Sequence, residues 1–356
     1  MKIKFKLNFI FCIFSFLILL TGCQSIKEDD STLNNEQKRD TEIYTHTDIA
    51  MGTVISEVLY GGDETIAKAG MNKLTELEEG ILSWRIETSE INKINTQAGS
   101  GEDIEISWRL EEYLAKILQV SKDSNGAFDP TIGMITRLWG IDSEDPKVPD
   151  DSEIQALLKN AGYENIDLQG NEVKLPSDVS IDLGAVGKGI GTDIMMDFMQ
   201  ENEDIKAGVI SVGGSIVTYG NKPEGGAWKV GITDPRDKEG GLLGSLQLEG
   251  DHYISTSGDY EKYIEVEGKR YHHIMDPKTG YPANSGLISV TIVCDSGLLS
   301  DALSTACFVL GYEESLPLLE TYHAQAVFVD NNQNVYITDG LIDCFKLVSD
   351  NYIFVE

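Results

Sequence analysis

Strand-like segments follow one another through the second half of this chain instead of alternating one by one with helices. Ile49–Tyr60 predicts a strand, and from Val209 to Val293 short apolar and β-branched runs are separated by turn residues. Helical periodicity precedes that region at 187–200 and follows it at 301–311. The pattern favours the α+β class, with mixed or antiparallel sheets and packed helices, over a doubly wound sheet. We expect residues 43–356 to form one unit, and the pattern leaves a two-lobed form open.

The first residues have the composition of an export signal. Lysines at the start lead into the apolar run Phe9–Leu20, which is shorter than the roughly 20 residues that span a bilayer. The run ends in Leu-Thr-Gly-Cys23, which resembles the lipobox of bacterial lipoproteins. We therefore expect a lipoprotein signal peptide at 1–22, a lipidated Cys23 with a flexible tether at 23–42, and anchoring at the extracytoplasmic (periplasmic) face of the cell membrane. An ordinary signal peptide with an incidental cysteine is the alternative.

The charge balance excludes one class of partner. The chain carries 28 Lys and Arg against 59 Asp and Glu, which gives a formal net charge of −31. Proteins that bind nucleic acid neutralise phosphates with clustered basic residues, so we expect no nucleic-acid partner. The same excess would repel anionic lipid, so attachment to a membrane would depend on the acyl chains of the anchor.

The glycine-rich segment at 182–191 does not match the standard nucleotide-binding motifs. Asp182 stands where the first glycine of G-x-x-x-x-G-K-[ST] belongs, and Gly189 takes the place of the hydroxyl residue after the lysine. The spacing also fails G-x-G-x-x-G, and the chain contains neither G-x-S-x-G nor H-E-x-x-H. Standard nucleotide folds and hydrolase triads are therefore not supported.

The same segment nevertheless has features of an anion site. A strand that runs into a glycine-rich turn opening a helix leaves backbone N–H groups at the positive end of the helix dipole. Lys188 adds a mobile positive charge on that turn. An anionic ligand is expected there, and a tight corner with a solvated lysine is the alternative.

A second candidate segment is Tyr271–Pro282. On a strand, His272 and His273 point to opposite faces, so at most one of them serves a given pocket, and Met275 shares the face of His273. The Asp-Pro and Thr-Gly pairs that follow predict a rigid turn that holds the strand end in place. A structural role for the histidines is the competing interpretation.

A third candidate is the helix start at 300–306. Asp301 and Thr305 are four residues apart and therefore share one helix face. A carboxylate and a hydroxyl or carbonyl oxygen are ligands suited to a hard cation such as Mg²⁺. The alternative is an acid that complements the helix dipole and a threonine bonded to its own backbone.

A fourth candidate combines 126–133 with residues upstream of it. Met51, Trp84 and Phe128 could line a flat aromatic ligand, and Asp129 could accept a hydrogen bond from the polar edge of that ligand. Each of these residues, taken singly, is more often part of an ordinary core.

Together these segments resemble the ApbE family, the FAD:protein FMN transferases. The match extends from about residue 43 to the C-terminus. Its motifs stand in family order: MGT at 51–53, GAFDPTIG at 126–133, DLGAVGKG at 182–189, HHIMDPKTGYP at 272–282 and DALST at 301–305. The resemblance implies a T-fold-like catalytic unit that binds FAD and Mg²⁺. It also implies that FMN is attached through a phosphoester to a Ser or Thr of a target protein, with release of AMP.

The resemblance also implies roles for individual residues. His273 would be the general base that takes the proton from the acceptor hydroxyl, although family members commonly have a single histidine here and this chain also has His272. Mg²⁺ would be held by Asp301, Thr305 and the backbone oxygen of Ala185. FAD would be contacted by Met51, Trp84, Ala127, Phe128, Asp129, Asp182, Lys188 and Met275.

Two other functions fit the same residues. Water in place of the acceptor hydroxyl would make the protein a Mg²⁺-dependent FAD pyrophosphatase that yields FMN and AMP, and the sequence does not separate the two reactions. A non-catalytic flavin-binding lipoprotein is the other alternative, but it would not need Lys188 or the Asp301–Thr305 pair. The acceptor implied by the resemblance is an exported or membrane redox protein with a short Ser/Thr-containing motif.

Overall fold

The computed structural model describes residues 42–355. The predicted signal peptide, the lipidated Cys23 and the tether up to residue 41 lie outside this range. None of the helices within it combines the length and the apolarity that crossing a bilayer requires. Helices α1 to α8 of the described residues are Glu64–Leu77, Glu90–Thr96, Trp108–Asp123, Gly133–Trp139, Asp151–Leu158, Gly187–Glu201, Gly297–Leu310 and Tyr312–Thr321.

A nine-stranded sheet forms the centre of residues 42–355, and three smaller sheets accompany it. Strands β1 to β17 are Ile43–Ala50, Thr53–Tyr60, Ile104–Glu105, Asp167–Gln169, Glu172–Lys174, Ala207–Val212, Ser215–Tyr219, Trp228–Thr233, Leu242–Leu248, His252–Gly258, Tyr263–Val266, Lys269–His272, Leu287–Cys294, Gln325–Asp330, Asn334–Ile337, Phe345–Leu347 and Ile353–Phe354. The order in the large sheet is β1-β2-β6-β7-β10-β13-β14-β15-β17. All its neighbouring strands are antiparallel except β15 and β17.

The large sheet is covered on both faces. On one face, apolar residues of β8 and β9 pack against those of β6, β7, β10, β13 and β14. On the other face, α1 and α6 cover β2 and β6, and α7 lies against β10 and β13. Mainly antiparallel sheets with helices packed on them confirm the α+β prediction.

The predicted strand Ile49–Tyr60 is wrong in one respect, because a tight turn divides it. β1 and β2 form a hairpin in which Ala50 pairs with Thr53. Met51 and Gly52 between them have φ values of 52° and 66°. Two adjacent residues at positive φ make the type of turn whose twist matches an antiparallel hairpin. The usual sequence signal for this turn is Asn or Asp before the glycine. This chain has a methionine at that position, so no sequence signal indicated the turn.

Helices α6 and α7 cross at backbone contact. A Cβ atom added at Gly189 would lie 2.1 Å from the carbonyl oxygen of Gly297, and one added at Gly297 would lie 2.1 Å from that of Gly189. The Asp193 carboxylate of α6 accepts the N–H groups of Gly297 and Leu298 at 2.6 and 2.8 Å. The Ser296 side chain also caps α7, so the helix begins at Gly297 rather than at 301 as predicted. The crossing brings the glycine-rich turn and the DALST motif together.

Gly297→Ala is expected to lower the free energy of unfolding by about 1–3 kcal/mol, because the added methyl group must push two helix backbones apart. Urea unfolding followed by far-UV circular dichroism measures the change. Gly80→Ala is the matched control, since a Cβ atom there meets no atom within 4 Å. Equal stabilities for the two variants would contradict the tight crossing.

Candidate active site

The turn before α6 is exposed at Gly184 and Ala185. Its conformation is supported by Asp182, whose Oδ1 accepts the Gly184 N–H at 2.8 Å. The N–H of Asp182 in turn donates to the Pro130 carbonyl at 2.8 Å, which ties this turn to the GAFDPTIG segment. The predicted strand before the turn is wrong: Ser180 forms a single isolated bridge, because the segment it meets turns at once into α4.

The carboxylate of Asp301 lies at the centre of the site and is 3% exposed. Its Oδ2 accepts the backbone N–H of Gly189 at 2.8 Å, and its Oδ1 accepts the Ser215 hydroxyl at 3.2 Å. The Lys188 ammonium lies 3.9 Å from Oδ1. The charge of Asp301, with a smaller contribution from Glu261, raises the pKa of Lys188 against the opposing effect of burial. Lys188 is therefore a charged group held beside the helix start, as an anion site requires.

Thr305 lies one turn along α7 from Asp301, as the spacing predicts. Its Oγ1 is 3.4 Å from the Ser257 hydroxyl of β10, and Ser257 also bonds the Ser304 hydroxyl at 2.8 Å. The predicted carboxylate–hydroxyl pair is therefore present on α7, with a hydroxyl-rich strand beside it.

His272 belongs to the core. It is 7% exposed, its Nε2 donates to the Ala283 carbonyl at 3.0 Å, and its ring packs edge-on against Phe308. Its buried Nδ1 finds no hydrogen-bond partner among residues 42–355. Burial lowers the pKa of His272, so the ring is neutral and structural.

His273, by contrast, is half-buried and lies near the cations of the site. Its Nδ1 is 3.2 Å from the backbone oxygen of Lys262. A carbonyl oxygen only accepts, so Nδ1 carries the proton and Nε2 keeps its lone pair. Burial first, and then Lys262 and Lys188, lowers the pKa of His273 to about 3. The imidazole is therefore neutral at physiological pH, which a general base requires.

Met275 is buried at 3% exposure in an apolar cluster with Trp139. The turn that follows it is closed by the Gly280 N–H, which donates to the Asp276 carbonyl at 2.8 Å, and Trp139 Nε1 donates to the Gly280 carbonyl at 2.8 Å. The rigid turn predicted after His273 is confirmed. Contact between Met275 and a flavin stays a prediction.

Ala127, Phe128 and Asp129 are all buried, at 2%, 3% and 8% exposure. The Asp129 carboxylate accepts the N–H and hydroxyl of Thr131 at 2.8 and 2.6 Å, and the Tyr163 N–H at 2.9 Å. Desolvation by burial raises the pKa of Asp129, and these hydrogen bonds oppose that rise. The three residues support the loop before α4, and their contact with FAD stays a prediction.

Trp84 and Met51 lie against neighbouring parts of the site. The Arg85 and Arg137 guanidinium carbons are 4.4 and 4.0 Å from the centroid of the Trp84 ring. Met51 donates its N–H to Glu78 at 2.9 Å, and its side chain reaches the glycine face of α6, close to Gly187 and Gly191.

Sequence reasoning missed several residues that complete the site. Gly213, at φ 59°, turns β6 into β7, and a Cβ atom there would lie 2.6 Å from Thr53 Oγ1 and 3.2 Å from Lys188 Cδ. This turn delivers Ser215 to Asp301, and a Gly-Gly pair between two strand-like runs was its available signal. Nothing in the sequence indicated Arg137, because no local sequence pattern predicts that a residue of α4 lies over the Trp84 ring.

No group of three or more His, Cys, Asp or Glu side chains in the part of the chain that the structure describes comes together in a way that would hold a metal ion. The oxygen donors predicted for Mg²⁺ are instead one carboxylate, one hydroxyl and one carbonyl.

The fold and the site define an α+β protein in which a glycine-rich helix start, a lysine and a buried carboxylate lie side by side, an arrangement suited to an anionic ligand. The sequence model of the ApbE family matches residues 51–328. The chain belongs to the ApbE family.

Similar proteins agree with this membership. An FAD:protein FMN transferase of Treponema pallidum (strain Nichols) is 30% identical over 333 residues, which are 87% of this chain and 91% of that protein. One of Klebsiella pneumoniae (strain 342) is 31% identical over 84% of this chain and 93% of its own. The solved structure of the ApbE protein of Thermotoga maritima MSB8 has a TM-score of 0.75 at 31% identity, and covers 84% of this chain and 98% of its own. That of Pseudomonas stutzeri flavinyl transferase ApbE has a TM-score of 0.74 at 26% identity, with 86% and 98% covered.

Proposed function

We propose that this protein transfers FMN from FAD to a Ser or Thr hydroxyl of an exported or membrane redox protein and releases AMP. The observation that carries the proposal is the placement of Lys188 and the first turn of α6 beside the buried Asp301. A pyrophosphate there would meet the positive end of the α6 dipole, the Lys188 ammonium and a carboxylate able to share a cation with it. Membership of the ApbE family and the names of its relatives support the same function.

FAD would extend from this helix start towards the aromatic side of the site. Asp182 and Lys188, both in the glycine-rich segment, would contact FAD at its pyrophosphate end. Met51 offers a flexible apolar surface that suits an isoalloxazine ring, and Trp84 would stack on that ring if the Arg85 or Arg137 guanidinium over it moved aside. The buried residues Ala127, Phe128, Asp129 and Met275 would form the floor beneath them.

The donors around Asp301 fit a magnesium ion. In sites that also bind phosphates, Mg²⁺ is held by one or two carboxylates, and all its other ligands are oxygen atoms as well. A carboxylate has about four lone-pair positions, so Asp301 can keep its bonds from Gly189 and Ser215 and still bind a cation. Thr305 and the Ala185 carbonyl would supply the other protein oxygens. When bound, the ion would neutralise charge on the pyrophosphate during transfer.

His273 would then act on the acceptor. Its Nε2 takes the proton of the acceptor hydroxyl while the hydroxyl oxygen attacks the phosphorus of the FMN half. The bond from that phosphorus to the bridging oxygen breaks, and AMP leaves with that oxygen. Lys188 offsets the negative charge that develops on the phosphoryl oxygens.

The test is incubation of the purified protein with FAD, MgCl₂ and a candidate acceptor domain. We expect the acceptor to gain the mass of FMN, to fluoresce in a denaturing gel, and to yield one AMP for each flavin attached. Free FMN and AMP with no attached flavin would identify an FAD pyrophosphatase instead. Absence of AMP under all conditions would refute both reactions.

Asp301→Asn is expected to raise the Mg²⁺ concentration for half-maximal activity about tenfold or more, because an amide oxygen carries no charge to bind the cation. A magnesium titration of AMP release measures the shift. Asp295→Asn, an exposed carboxylate just before α7, is the control and should leave the titration unchanged. Superimposable curves for Asp301→Asn and wild type would remove Asp301 from the metal site.

We further propose that Cys23 carries a lipid that holds the protein at the extracytoplasmic face of the cell membrane. The support is the basic, apolar and Leu-Thr-Gly-Cys sequence of the first residues. Metabolic labelling with a palmitate analogue should label the wild type and not Cys23→Ala, and the variant should move to the soluble fraction. Label that persists in Cys23→Ala would refute the anchor.

A further inference from the structure

The direction of the His273 ring depends on one backbone oxygen. The carbonyl of Lys262 accepts the backbone N–H of His273 at 3.1 Å and lies 3.2 Å from its Nδ1. Lys262 belongs to the turn 259–262 between β10 and β11, which is outside either strand. A shift of this turn would therefore rotate or release the imidazole.

Arg236 holds the first residue of that turn. Its Nη1 and Nη2 donate to the two carboxylate oxygens of Asp259 at 2.7 and 2.9 Å. Two parallel bonds of this kind fix orientation as well as distance. The Asp259 side chain is 14% exposed, and its backbone N–H donates to the Ile288 carbonyl at 3.1 Å. The turn is therefore held in place by Arg236, a residue outside the two strands that the turn joins.

Residues near the C-terminus in turn hold Arg236 in place. The Asp234 carboxylate, 5% exposed, accepts the backbone N–H of Arg236 at 2.9 Å and the hydroxyl of Tyr352 at 2.5 Å. Ser349 adds a bond to the other carboxylate oxygen at 3.3 Å. Tyr352 is also 5% exposed, and it lies beyond residues 51–328, which match the ApbE family. A path of hydrogen bonds therefore leads from the buried Tyr352 and Asp234, through the partly exposed Arg236, to Asp259 in the turn beside His273.

Other charged groups hold the turn less firmly. Arg270 approaches Asp259 through one nitrogen at 3.7 Å, and Lys262 pairs with Asp142 at 2.9 Å between two side chains that are about half exposed. A single contact at 3.7 Å, or an ion pair between two half-exposed side chains, restrains a backbone less than two parallel hydrogen bonds to a carboxylate that is 14% exposed. Within residues 42–355, Arg236 makes the only bidentate ion pair that the structure gives for Asp259.

We propose that Arg236 is a positioning residue for His273, acting through Asp259 and the Lys262 carbonyl, and that Tyr352 supports Arg236 through Asp234. The proposal rests on the transfer function proposed above. Neither residue touches the reacting atoms in this arrangement, so each should affect the proton-transfer step and leave FAD binding alone.

Arg236→Gln should lower kcat for FMN transfer about tenfold or more, since a base displaced by about 1 Å loses up to 10²-fold. The dissociation constant for FAD, measured by quenching of flavin fluorescence, should stay within about twofold of wild type. Arg270→Gln is the matched control and should keep kcat near wild type. An unchanged kcat in folded Arg236→Gln would overturn the proposal.

A double-mutant cycle separates positioning from a general loss of structure. If Arg236 acts through His273, Arg236→Gln should cost no further activity when His273 is already alanine. A residual rate that falls by the same factor in both backgrounds would show that Arg236 acts elsewhere. Arg236→Lys keeps the positive charge but cannot form two parallel hydrogen bonds to Asp259, so it should recover only part of kcat.

Tyr352→Phe tests the same proposal if the Arg236 variants fail to fold. It removes one hydroxyl, and kcat should fall about two- to fivefold with the FAD dissociation constant unchanged. A wild-type kcat in Tyr352→Phe would exclude the C-terminal part of the proposal. Wild-type protein that attaches no flavin to any acceptor would refute the transfer function itself, and that outcome is distinct from an active wild type with an insensitive Arg236→Gln.

Discussion

Replacing His273 with alanine is expected to reduce the rate of FMN transfer about 10²- to 10⁴-fold, which is the usual contribution of a positioned general base. FAD binding should change little, because His273 is proposed to act on the acceptor hydroxyl and not on the pyrophosphate. The Nδ1 position bonded to the Lys262 carbonyl leaves Nε2 as the basic nitrogen. Single-turnover transfer at saturating FAD and acceptor measures the loss, and flavin fluorescence quenching measures binding.

The pH dependence sharpens this prediction. The pKa of His273 is lowered to about 3, so its neutral form is present throughout pH 5–8. Transfer by the wild type should therefore not fall from protonation of His273 as the pH drops from 8 to 5. A histidine at the ordinary pKa of about 6.5 would lose roughly 30-fold at pH 5.

His252→Ala is the control for the His273 variant. His252 bonds the Glu249 carbonyl at 3.0 Å, at the opposite end of β10 from the turn that holds His273. Its loss should leave transfer unchanged. Transfer at the wild-type rate by His273→Ala would remove His273 from the mechanism.

Glu57→Gln is expected to make the protein more stable than wild type at pH 8, by about 4 kcal/mol, and to make little difference at pH 5. Glu57 lies in β2 at 1% exposure, and neither carboxylate oxygen has a hydrogen-bond partner in the described range. Burial first, and then the nearby charge of Asp48, raises its pKa from 4.5 to about 8. The folded protein therefore keeps this carboxyl protonated at neutral pH.

The sign follows from proton linkage. Between about pH 4.5 and pH 8 the unfolded chain releases the proton of Glu57 and the folded chain does not, so the free energy of unfolding falls as the pH rises. Each unit of pKa shift is worth about 1.4 kcal/mol, and glutamine has no proton to release. Urea unfolding of both proteins at several pH values measures the slope.

Glu105→Gln serves as the comparison for Glu57→Gln, since Glu105 is an exposed strand carboxylate on β3. It should follow the wild-type pH profile of stability. Parallel profiles for wild type and Glu57→Gln would show that Glu57 is ionised in the folded state, contrary to this account.

Local patterns in the sequence were sufficient for part of the site. The face shared by Asp301 and Thr305 depends only on the helical repeat, and the opposite directions of His272 and His273 depend only on the pleat of an extended chain. The proposal that the turn before α6 meets an anion rests only on the positive dipole end of any helix start. Motif order also carried the family resemblance, which the match to residues 51–328 confirms.

Other features failed or were missed because their cause lies far away in the chain. The Met51 N–H in the turn that divides the predicted strand donates to Glu78, 27 residues away, and the Arg137 guanidinium lies over the ring of Trp84 from a distant helix. Glu57 shares the face of Ile55 and Leu59 in β2, but its charge gives no sign of burial, which appears only once α1 and α6 cover that face.

The sequence by itself determined which chemical groups the protein brings to its ligand and on which local element each one stands, since helix and strand geometry are set by neighbouring residues. Only the tertiary structure decided their partners. The contact of Gly189 with Gly297 places Asp301 against a helix start more than a hundred residues earlier in the chain. The Lys262 turn decides which nitrogen of His273 is basic. Both depend on how distant strands and helices pack, and no local pattern encodes that packing.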